Sequence, residues 1–201
     1  MAAHVDYYFT PRSPWAYLGA TRFADMVRKY GATVTVMPVD YGRVFPVSGG
    51  LPLAKRPPQR QAYRLTELRR WREYLQVPLN LQPRHVPSDD RFVSQLIIAA
   101  RQQSQDAALA LAFALGRALW AEERDINDRA TQEQILAACN LDPATMLAAA
   151  GEQAAADAFD ADTEKAIALQ VFGAPTYVLN GELFWGQDRL DFLERALARQ
   201  D

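Results

Sequence analysis

The sequence has 201 residues, of which 49% are hydrophobic and 23% are charged. This composition allows one large buried core, and the formal net charge of −2 excludes the strongly basic surface typical of nucleic-acid-binding proteins. No signal-peptide pattern and no run of about 18 apolar residues is present, so we expect a cytoplasmic protein with no membrane segment. The one cysteine, Cys139, lies in an apolar helical pattern and is predicted to pack in the core.

The N-terminal stretch predicts a strand, a tight turn and a helix. His4–Phe9 is short, apolar and aromatic, as in a buried strand. Pro11 ends the strand, Ser13 is predicted to cap the next helix, and Pro14 suits its first position. Ser13 therefore has two interpretations. It is a plain helix cap, or its hydroxyl serves at a helix end that favours anions.

The chain then continues to a second strand. Gly31 indicates the end of the first helix, and the β-branched stretch Thr33–Pro38 predicts a strand parallel to the first. Gly42 to Pro58 contains many glycines and prolines and is predicted to be a long loop.

A helical block follows, with caps inferred from sequence alone. The basic residues Lys55, Arg56, Arg60, Arg64, Arg69 and Arg70 are predicted to form a solvated helix face. The first three predicted helices are Gln59–Gln76, one that is capped by Ser88 or Asp89 and ends at Gln103, and Ala107–Glu122, capped by Asp106. A fourth begins at Thr131 and ends at Cys139. The last two are capped by Asp142, ending at Ala150, and by Asp160 or Asp162, ending near Gly173.

The C-terminal stretch predicts a β-hairpin and a closing helix. Thr176–Leu179 and Glu182–Trp185 flank Asn180-Gly181, the pattern of a type I′ turn. Asp188 is predicted to cap the closing helix. The order βαβ, helices, ββα predicts an α/β protein with a thioredoxin-like four-stranded mixed sheet and an all-helical insertion. We expect residues 1–45 and 170–201 to form the thioredoxin-like domain and residues 46–169 to form the insertion.

Three stretches carry a resemblance to a known family: Tyr8–Leu18, Val171–Thr176 and Leu183–Leu190. With Gly49–Lys55 between them, the sequence resembles the 2-hydroxychromene-2-carboxylate isomerase family. This family is related to kappa-class glutathione transferases and DsbA-type thiol oxidoreductases. In the oxidoreductases a cysteine caps the first helix, whereas this chain has Ser13 there and Ala16 three residues later. No Cys-x-x-Cys pair exists, so disulfide exchange by a protein dithiol is excluded.

The resemblance implies glutathione as cofactor. The Ser13 hydroxyl would donate a hydrogen bond to the glutathione thiolate, and Pro175 would be cis, so that the Ala174 backbone pairs with the cofactor. The alternative is a trans Pro175 that simply ends a helix. The stretch Trp185, Gly186, Gln187, Asp188 and Arg189 would bind the γ-glutamyl end.

The resemblance also implies an isomerase that interconverts 2-hydroxychromene-2-carboxylate and trans-o-hydroxybenzylidenepyruvate, or close analogues. Arg43 and Lys55 are candidate partners of the substrate carboxylate, and His85 is a candidate proton donor. Trp15, Phe45 and Trp185 would line the slot. A homodimer is expected by analogy, and no metal is expected. The alternatives are a kappa-like glutathione transferase or peroxidase and a non-catalytic glutathione-binding module.

Overall fold

The computed structural model describes residues 2–199, whose four strands form one mixed sheet in the order β2-β1-β3-β4. Strand β1 is parallel to β2 and antiparallel to β3, and β3 is antiparallel to β4. The predicted thioredoxin-like sheet is therefore confirmed. The strands are β1 His4–Phe9, β2 Thr33–Pro38, β3 Thr176–Leu179 and β4 Glu182–Trp185.

Helices cover both faces of this sheet. The helices are α1 Pro14–Lys29, α2 Tyr41–Ser48, α3 Pro58–Leu75, α4 Arg91–Gln103, α5 Gln105–Trp120, α6 Arg129–Ala138, α7 Pro143–Ala150, α8 Gln153–Ala168 and α9 Leu190–Leu197, with short 3-10 helices at Leu53–Lys55 and Gln187–Arg189. Within residues 2–199, no helix has both the length and the hydrophobicity needed to cross a membrane.

Alternate residues of β1 enter two different apolar clusters, because successive side chains of a strand point to opposite faces. On one face the ring of Tyr7 lies 5.3 Å from that of Tyr177 in β3, and Phe23 of α1 packs against both. On the other face Tyr8 packs with residues of β2, α2 and α8. The first cluster continues without interruption into α4–α7. The insertion therefore shares its core with the sheet, and the division into two domains stays a prediction.

Several turn and cap signals in the sequence are confirmed. Gly31 has a φ of +58°, as a glycine after a helix requires. Asp142 caps α7, since its carboxylate accepts a hydrogen bond from the Thr145 N–H at 2.8 Å. Asn180 and Gly181 have φ values of 52° and 84°, so the hairpin has the positive angles of a type I′ turn.

The long loop predicted over residues 42–58 is wrong. This stretch contains α2 and a 3-10 helix at Leu53–Lys55. Asp40 caps α2, because its Oδ1 accepts the Gly42 N–H at 2.8 Å, and Tyr41 and Val44 are buried against the sheet. This burial outweighs the poor helix propensity of the stretch, including Pro46 inside the helix.

Two caps in the insertion also differ from the prediction. Helix α5 is capped by Ser104, whose Oγ accepts the Ala107 N–H at 3.0 Å, and Asp106 lies in its first turn. Helix α6 is capped by Asp128, whose carboxylate accepts the Thr131 N–H at 2.9 Å. In both cases two polar residues able to cap lie within three positions of each other in the sequence, Ser104 and Asp106 for α5 and Asp128 and Thr131 for α6.

Helices α8 and α4 also begin elsewhere than predicted. Helix α8 begins after Glu152, so Asp160 and Asp162 lie inside it. Its alanine-rich first half favours a helix by intrinsic propensity. Helix α4 begins after Asp90, one residue beyond Asp89. The side chain of Asp90 makes no hydrogen bond to its own helix.

Candidate functional site

Ser13 lies at the N-terminus of α1, as predicted. Its backbone is extended (φ −82°, ψ 116°), Pro14 occupies the first helical position, and its Oγ accepts the Ala16 N–H at 3.2 Å. The residue is only 7% exposed. The Trp15 N–H makes no hydrogen bond within residues 2–199. One hydroxyl and one free N–H thus lie at the positive end of a 16-residue helix.

The loop before β3 meets Ser13 from the opposite end of the chain. The Ala174–Pro175 peptide bond is cis, which confirms the predicted isomer. The Ser13 hydroxyl donates a hydrogen bond to the Ala174 carbonyl at 3.4 Å, across 161 residues of sequence. The Ala174 N–H makes no hydrogen bond in the described part of the chain. It remains a donor for an extended ligand.

Trp185 covers the start of this loop. Its ring lies edge-on to Phe172 with centroids 4.7 Å apart, and it is 51% exposed. A Cβ on Gly173 would come within 2.3 Å of Trp185 Nε1, so any larger residue in this position would displace the Trp185 ring. The Gly173 carbonyl accepts hydrogen bonds from the hydroxyls of Thr176, at 2.7 Å, and Tyr41, at 3.0 Å.

The segment from Gly186 to Arg189 is tied to the same loop. Gly186, with a φ of 105°, donates its N–H to the Pro175 carbonyl at 2.9 Å. The prediction that Asp188 caps the closing helix is wrong. Residues 187–189 form a 3-10 turn, α9 begins at Leu190, and the Asp188 carboxylate instead pairs with Arg189 at 2.9 Å.

Gln187 is the buried member of this segment, with 1% of its surface exposed. Its Oε1 accepts a hydrogen bond from Arg22 at 3.0 Å, and its Nε2 has no partner within residues 2–199. The Tyr177 hydroxyl beneath α1 likewise has none.

The candidate substrate-binding residues are distributed differently. Arg43 on α2 pairs with Asp160, at 3.3 Å, and with Glu164, both on α8, so its charge is already balanced. Lys55 is exposed and makes no ion pair within residues 2–199. His85 is exposed in a turn and makes no side-chain hydrogen bond in the described chain.

The aromatic residues predicted to line a slot are partly buried or exposed. Trp15 is half-buried on α1, and the ring of Phe45 packs 5.6 Å from that of Tyr41. A narrow crevice beside Ser13 lies between α1 and α5, and most of its lining is apolar, including Pro11, Ala112 and Phe113.

Four cations predicted to form part of a solvated helix face lie at and just before the start of α3. Arg56, Arg60 and Arg64 lie four residues apart, and with Lys55 they form what we call the cation cluster. No carboxylate within residues 2–199 pairs with any of them. Burial, and then the charge of a neighbouring arginine, lowers the pKa of both Arg56 and Arg64. The signal in the sequence was the absence of acidic residues between Asp40 and Glu67.

The geometry favours a donor role for Ser13 over a nucleophilic one. A serine nucleophile needs an adjacent general base. The hydrogen-bond partners of the Ser13 side chain within residues 2–199 are the Ala16 N–H and the Ala174 carbonyl, neither of which takes up a proton. Cys139 is half-buried away from this site, and burial raises the pKa of its thiol.

Comparisons with known proteins identify relatives that match nearly the whole chain. The chain is 28% identical over 196 residues to a 2-hydroxychromene-2-carboxylate isomerase from Pseudomonas putida, covering 97% of this chain and 94% of that protein. It is 27% identical to the same enzyme from Sphingobium xenophagum, covering 98% and 99%. A solved structure of 2-hydroxychromene-2-carboxylate isomerase superposes with a TM-score of 0.79 at 26% identity, covering 98% and 95%.

A more distant structure carries the same fold. The cytosolic disulfide reductase DsbM from Pseudomonas aeruginosa, solved with GSH, has a TM-score of 0.69 at 18% identity and covers 97% of this chain and 99% of its own. The model of the DSBA-like thioredoxin domain matches residues 4–198. The chain therefore belongs to the DSBA-like thioredoxin domain family.

Proposed function

We propose that this protein is a glutathione-dependent isomerase of an aromatic carboxylate, 2-hydroxychromene-2-carboxylate or a close analogue. The observation that carries the proposal is the position of the Ser13 hydroxyl, at a helix N-terminus and 3.4 Å from the carbonyl that precedes the cis-proline. The two isomerases reported above, similar over nearly their full length, support the reaction type.

The residues present fit glutathione as a cofactor. The Ser13 hydroxyl and the free Trp15 N–H are donors at a positive helix end, which suits a thiolate. The free Ala174 N–H suits the backbone of a peptide. When bound there, glutathione would supply a thiolate that adds reversibly to the conjugated substrate and is recovered unchanged.

The chain itself would orient and stabilise the anion. Ser13 would donate its hydroxyl proton as a hydrogen bond, without losing it, and would exchange its contact with Ala174 for one with the thiolate. This places a fixed donor where negative charge is held, the arrangement that contributes most to catalysis of this kind. Asp188, whose exposed carboxylate pairs with Arg189, would bind the ammonium group of the γ-glutamyl end beside that ion pair.

The cation cluster would bind a carboxylate of the substrate or of glutathione. Clustered positive charges without carboxylate partners repel one another, and an anionic ligand relieves that repulsion. Arg56 donates to the Leu51 carbonyl at 2.8 Å, which ties the cluster to the segment that follows α2. Lys55 keeps its proposed role, whereas Arg43 is occupied by Asp160 and Glu164.

The test combines binding and turnover. Glutathione, and S-methylglutathione as a control without a free thiol, are titrated calorimetrically into the purified protein. Isomerisation is then followed with substrate in large excess over glutathione, and the glutathione left at the end is measured. Many turnovers with full recovery support the proposal. Stoichiometric loss of glutathione indicates the kappa-like transferase, and binding without turnover indicates a binding module. Either result, or no binding, overturns the proposal.

A further inference from the structure

A buried carboxylate lies behind the Ser13 turn, and the proposed reaction does not use it. Asp90 is 7% exposed and occupies the cap position of α4. An aspartate in this position ordinarily accepts an N–H of its own helix. Here the Asp90 side chain makes no such bond, and the neighbouring Asp89 accepts the Arg91 N–H at 2.9 Å. The carboxylate of Asp90 is turned away from α4 and toward residues 10–13.

Both oxygens of this carboxylate bind the turn that carries Ser13. Oδ2 accepts a hydrogen bond from the Thr10 hydroxyl, and Oδ1 lies 3.2 Å from Nε of Arg12. The Arg12 guanidinium also donates to the carbonyls of Pro87, at 3.2 Å, and Ser88, at 2.9 Å. The strand-to-helix turn is thereby fastened to the segment that precedes α4.

Further hydrogen bonds connect Thr10 to Arg12 and Ser13. The Thr10 hydroxyl oxygen accepts the Arg12 N–H at 3.1 Å, and the Thr10 carbonyl accepts the Ser13 N–H at 3.0 Å. Thr10 is therefore bound through its side chain by Asp90 and through its carbonyl by Ser13. A shift of the Asp90 carboxylate would change the orientation of the turn and of the Ser13 hydroxyl.

The groups around the Asp90 carboxylate leave the Ser13 turn as its source of partners. Burial raises the pKa of Asp90, and Arg12 together with the Thr10 hydroxyl partly offsets that rise. The other charges beside it are engaged elsewhere, since Arg91 pairs with Asp160 at 2.9 Å and the exposed Asp89 carboxylate accepts the Arg91 N–H. A buried carboxylate costs free energy unless it is paired and hydrogen-bonded, and here its partners both come from the Ser13 turn.

We propose that Asp90 is a positioning residue that holds the Ser13 hydroxyl in its functional direction through Thr10 and Arg12. The consequence for catalysis rests on the proposed function, whereas the consequence for the turn does not. Asp90→Ala removes both contacts. Asp90→Asn keeps an acceptor for Thr10 and leaves Arg12 without its ion pair. Its effect should therefore lie between wild type and Asp90→Ala. Asp89→Asn is the matched control, a neighbouring carboxylate that serves only its own helix.

The first measurement needs no ligand. Hydrogen exchange of the Arg12 and Ser13 amides should accelerate by about tenfold or more in Asp90→Ala, less in Asp90→Asn and not in Asp89→Asn. Exchange at these amides that is unchanged in both Asp90 variants would overturn the proposal. If Asp90→Ala does not fold, amide exchange in Asp90→Asn and Thr10→Val is compared with that in Asp89→Asn.

The second measurement separates positioning from stability. For folded protein, kcat should fall by roughly tenfold to a hundredfold in Asp90→Ala, the scale of loss when a reacting group is misplaced, while glutathione affinity changes little. Activity per folded molecule equal to that of Asp89→Asn would overturn the positioning role. If Ser13→Ala is fully active, the proposed function has failed, and amide exchange alone then decides the role of Asp90.

Discussion

The Ser13 hydroxyl donates a hydrogen bond to the Ala174 carbonyl at 3.4 Å, and this contact joins the two ends of the chain at the candidate site. The distance is long for an O–H···O hydrogen bond, whose usual length is about 2.7–2.8 Å. The hydroxyl is therefore weakly held and able to turn toward a better acceptor. A thiolate between the helix end and the loop would be such an acceptor.

Ser13→Ala should separate a catalytic role from a helix cap. Loss of the cap costs about 0.5–2 kcal/mol of stability in either case. With a catalytic role, glutathione still binds, the thiol pKa of bound glutathione rises back toward about 8.5, and kcat falls by about 100-fold or more. The thiolate absorbance of bound glutathione against pH, with turnover measured in parallel, checks this.

Ser104→Ala is the control for that experiment. Ser104 caps α5 through the same contact, from its Oγ to the Ala107 N–H at 3.0 Å, outside the candidate site. We expect a similar loss of stability with unchanged turnover. If the thiolate titrations of wild type and Ser13→Ala coincide and both turn over equally, Ser13 is structural and the proposed mechanism is wrong.

The protein should not act as a dithiol oxidoreductase. Ser13 and Ala16 occupy the places of a Cys-x-x-Cys pair, and the one cysteine, Cys139, has its pKa raised by burial. We expect no catalysis of insulin reduction, and reaction of Cys139 with a thiol reagent slower than that of free cysteine. Insulin reduction that persists in Cys139→Ala would contradict this.

Neutralising the cation cluster should have opposite effects on binding and stability. Arg64→Gln removes a half-buried guanidinium whose pKa is lowered by burial and by Arg56. Stability should rise slightly because repulsion is relieved. Glutathione or substrate affinity should fall by roughly tenfold or more, since a hydrogen bond to a charged group is worth about 1.5–3 kcal/mol.

Arg69→Gln provides the comparison for the cation cluster. Arg69 is an exposed arginine on α3 with no ion pair within residues 2–199. Both affinity and stability should stay close to wild type there. Calorimetric binding and thermal unfolding at two salt concentrations check both effects. Unchanged affinity in Arg64→Gln would remove the cluster from the proposed site.

Replacing each of two helical glycines with alanine should have opposite effects on the stability of the protein. In α1, a Cβ on Gly19 would lie 2.9 Å from the Gln187 Cβ and 3.1 Å from the Tyr177 hydroxyl, both buried. Overpacking of about 1–3 kcal/mol should exceed the gain in helix propensity of about 1 kcal/mol, so Gly19→Ala should destabilise the protein.

In α5, a Cβ on Gly116 would meet Tyr17 at 3.5 Å, an ordinary contact. Gly116→Ala should therefore be neutral or stabilising by up to about 1 kcal/mol. Urea unfolding of the two variants beside wild type measures both changes. Equal stability of Gly19→Ala and Gly116→Ala would show that the space around Gly19 is not tight.

Two capping aspartates should make stability depend on acid pH. Hydrogen bonds to Thr131 lower the pKa of Asp128, and hydrogen bonds to Thr145 lower the pKa of Asp142. Their folded pKa values lie below the unfolded ones. Their contribution to stability is therefore complete above the unfolded value of about 3.9 and is lost as pH falls through the folded values.

Replacing both capping aspartates with asparagine keeps the cap contacts and removes this dependence. Between about pH 6 and about pH 3 the double variant should lose less stability than wild type. Asp106→Asn is the control, because Asp106 makes no side-chain hydrogen bond within residues 2–199. Equal acid slopes for wild type and the double variant would contradict the prediction.

Short sequence patterns predicted the parts of the fold that depend only on residues adjacent in sequence. The Ser13-Pro14 helix start, the Asn180-Gly181 hairpin and the Asp142 cap each need only a few residues, and all are confirmed. The family resemblance added the cis Pro175, which the local sequence leaves open.

The features that sequence reasoning missed depend on distant residues. Helix α2 forms because Tyr41 and Val44 are buried against elements far along the chain. Asp90 has the pattern of an ordinary cap, and only the approach of Thr10 and Arg12 turns its carboxylate elsewhere. The partial burial of Arg56 and Arg64, on a helix face predicted to be solvated, is likewise set by the folded chain.

The sheet order also sets when the site can form during protein synthesis. Strand β1 lies between β2 and β3, and β3 enters the chain only after all eight preceding helices. Until Thr176–Leu179 leaves the ribosome, one edge of β1 has no neighbour, and unpaired edges invite pairing with other chains. The helices of the insertion precede β3 in the chain and share an apolar cluster with Tyr7 and Phe9 of β1, so they are present to cover that face of β1 before β3 is added. The contact between Ser13 and Ala174 can therefore form only after the whole helical insertion has been synthesised.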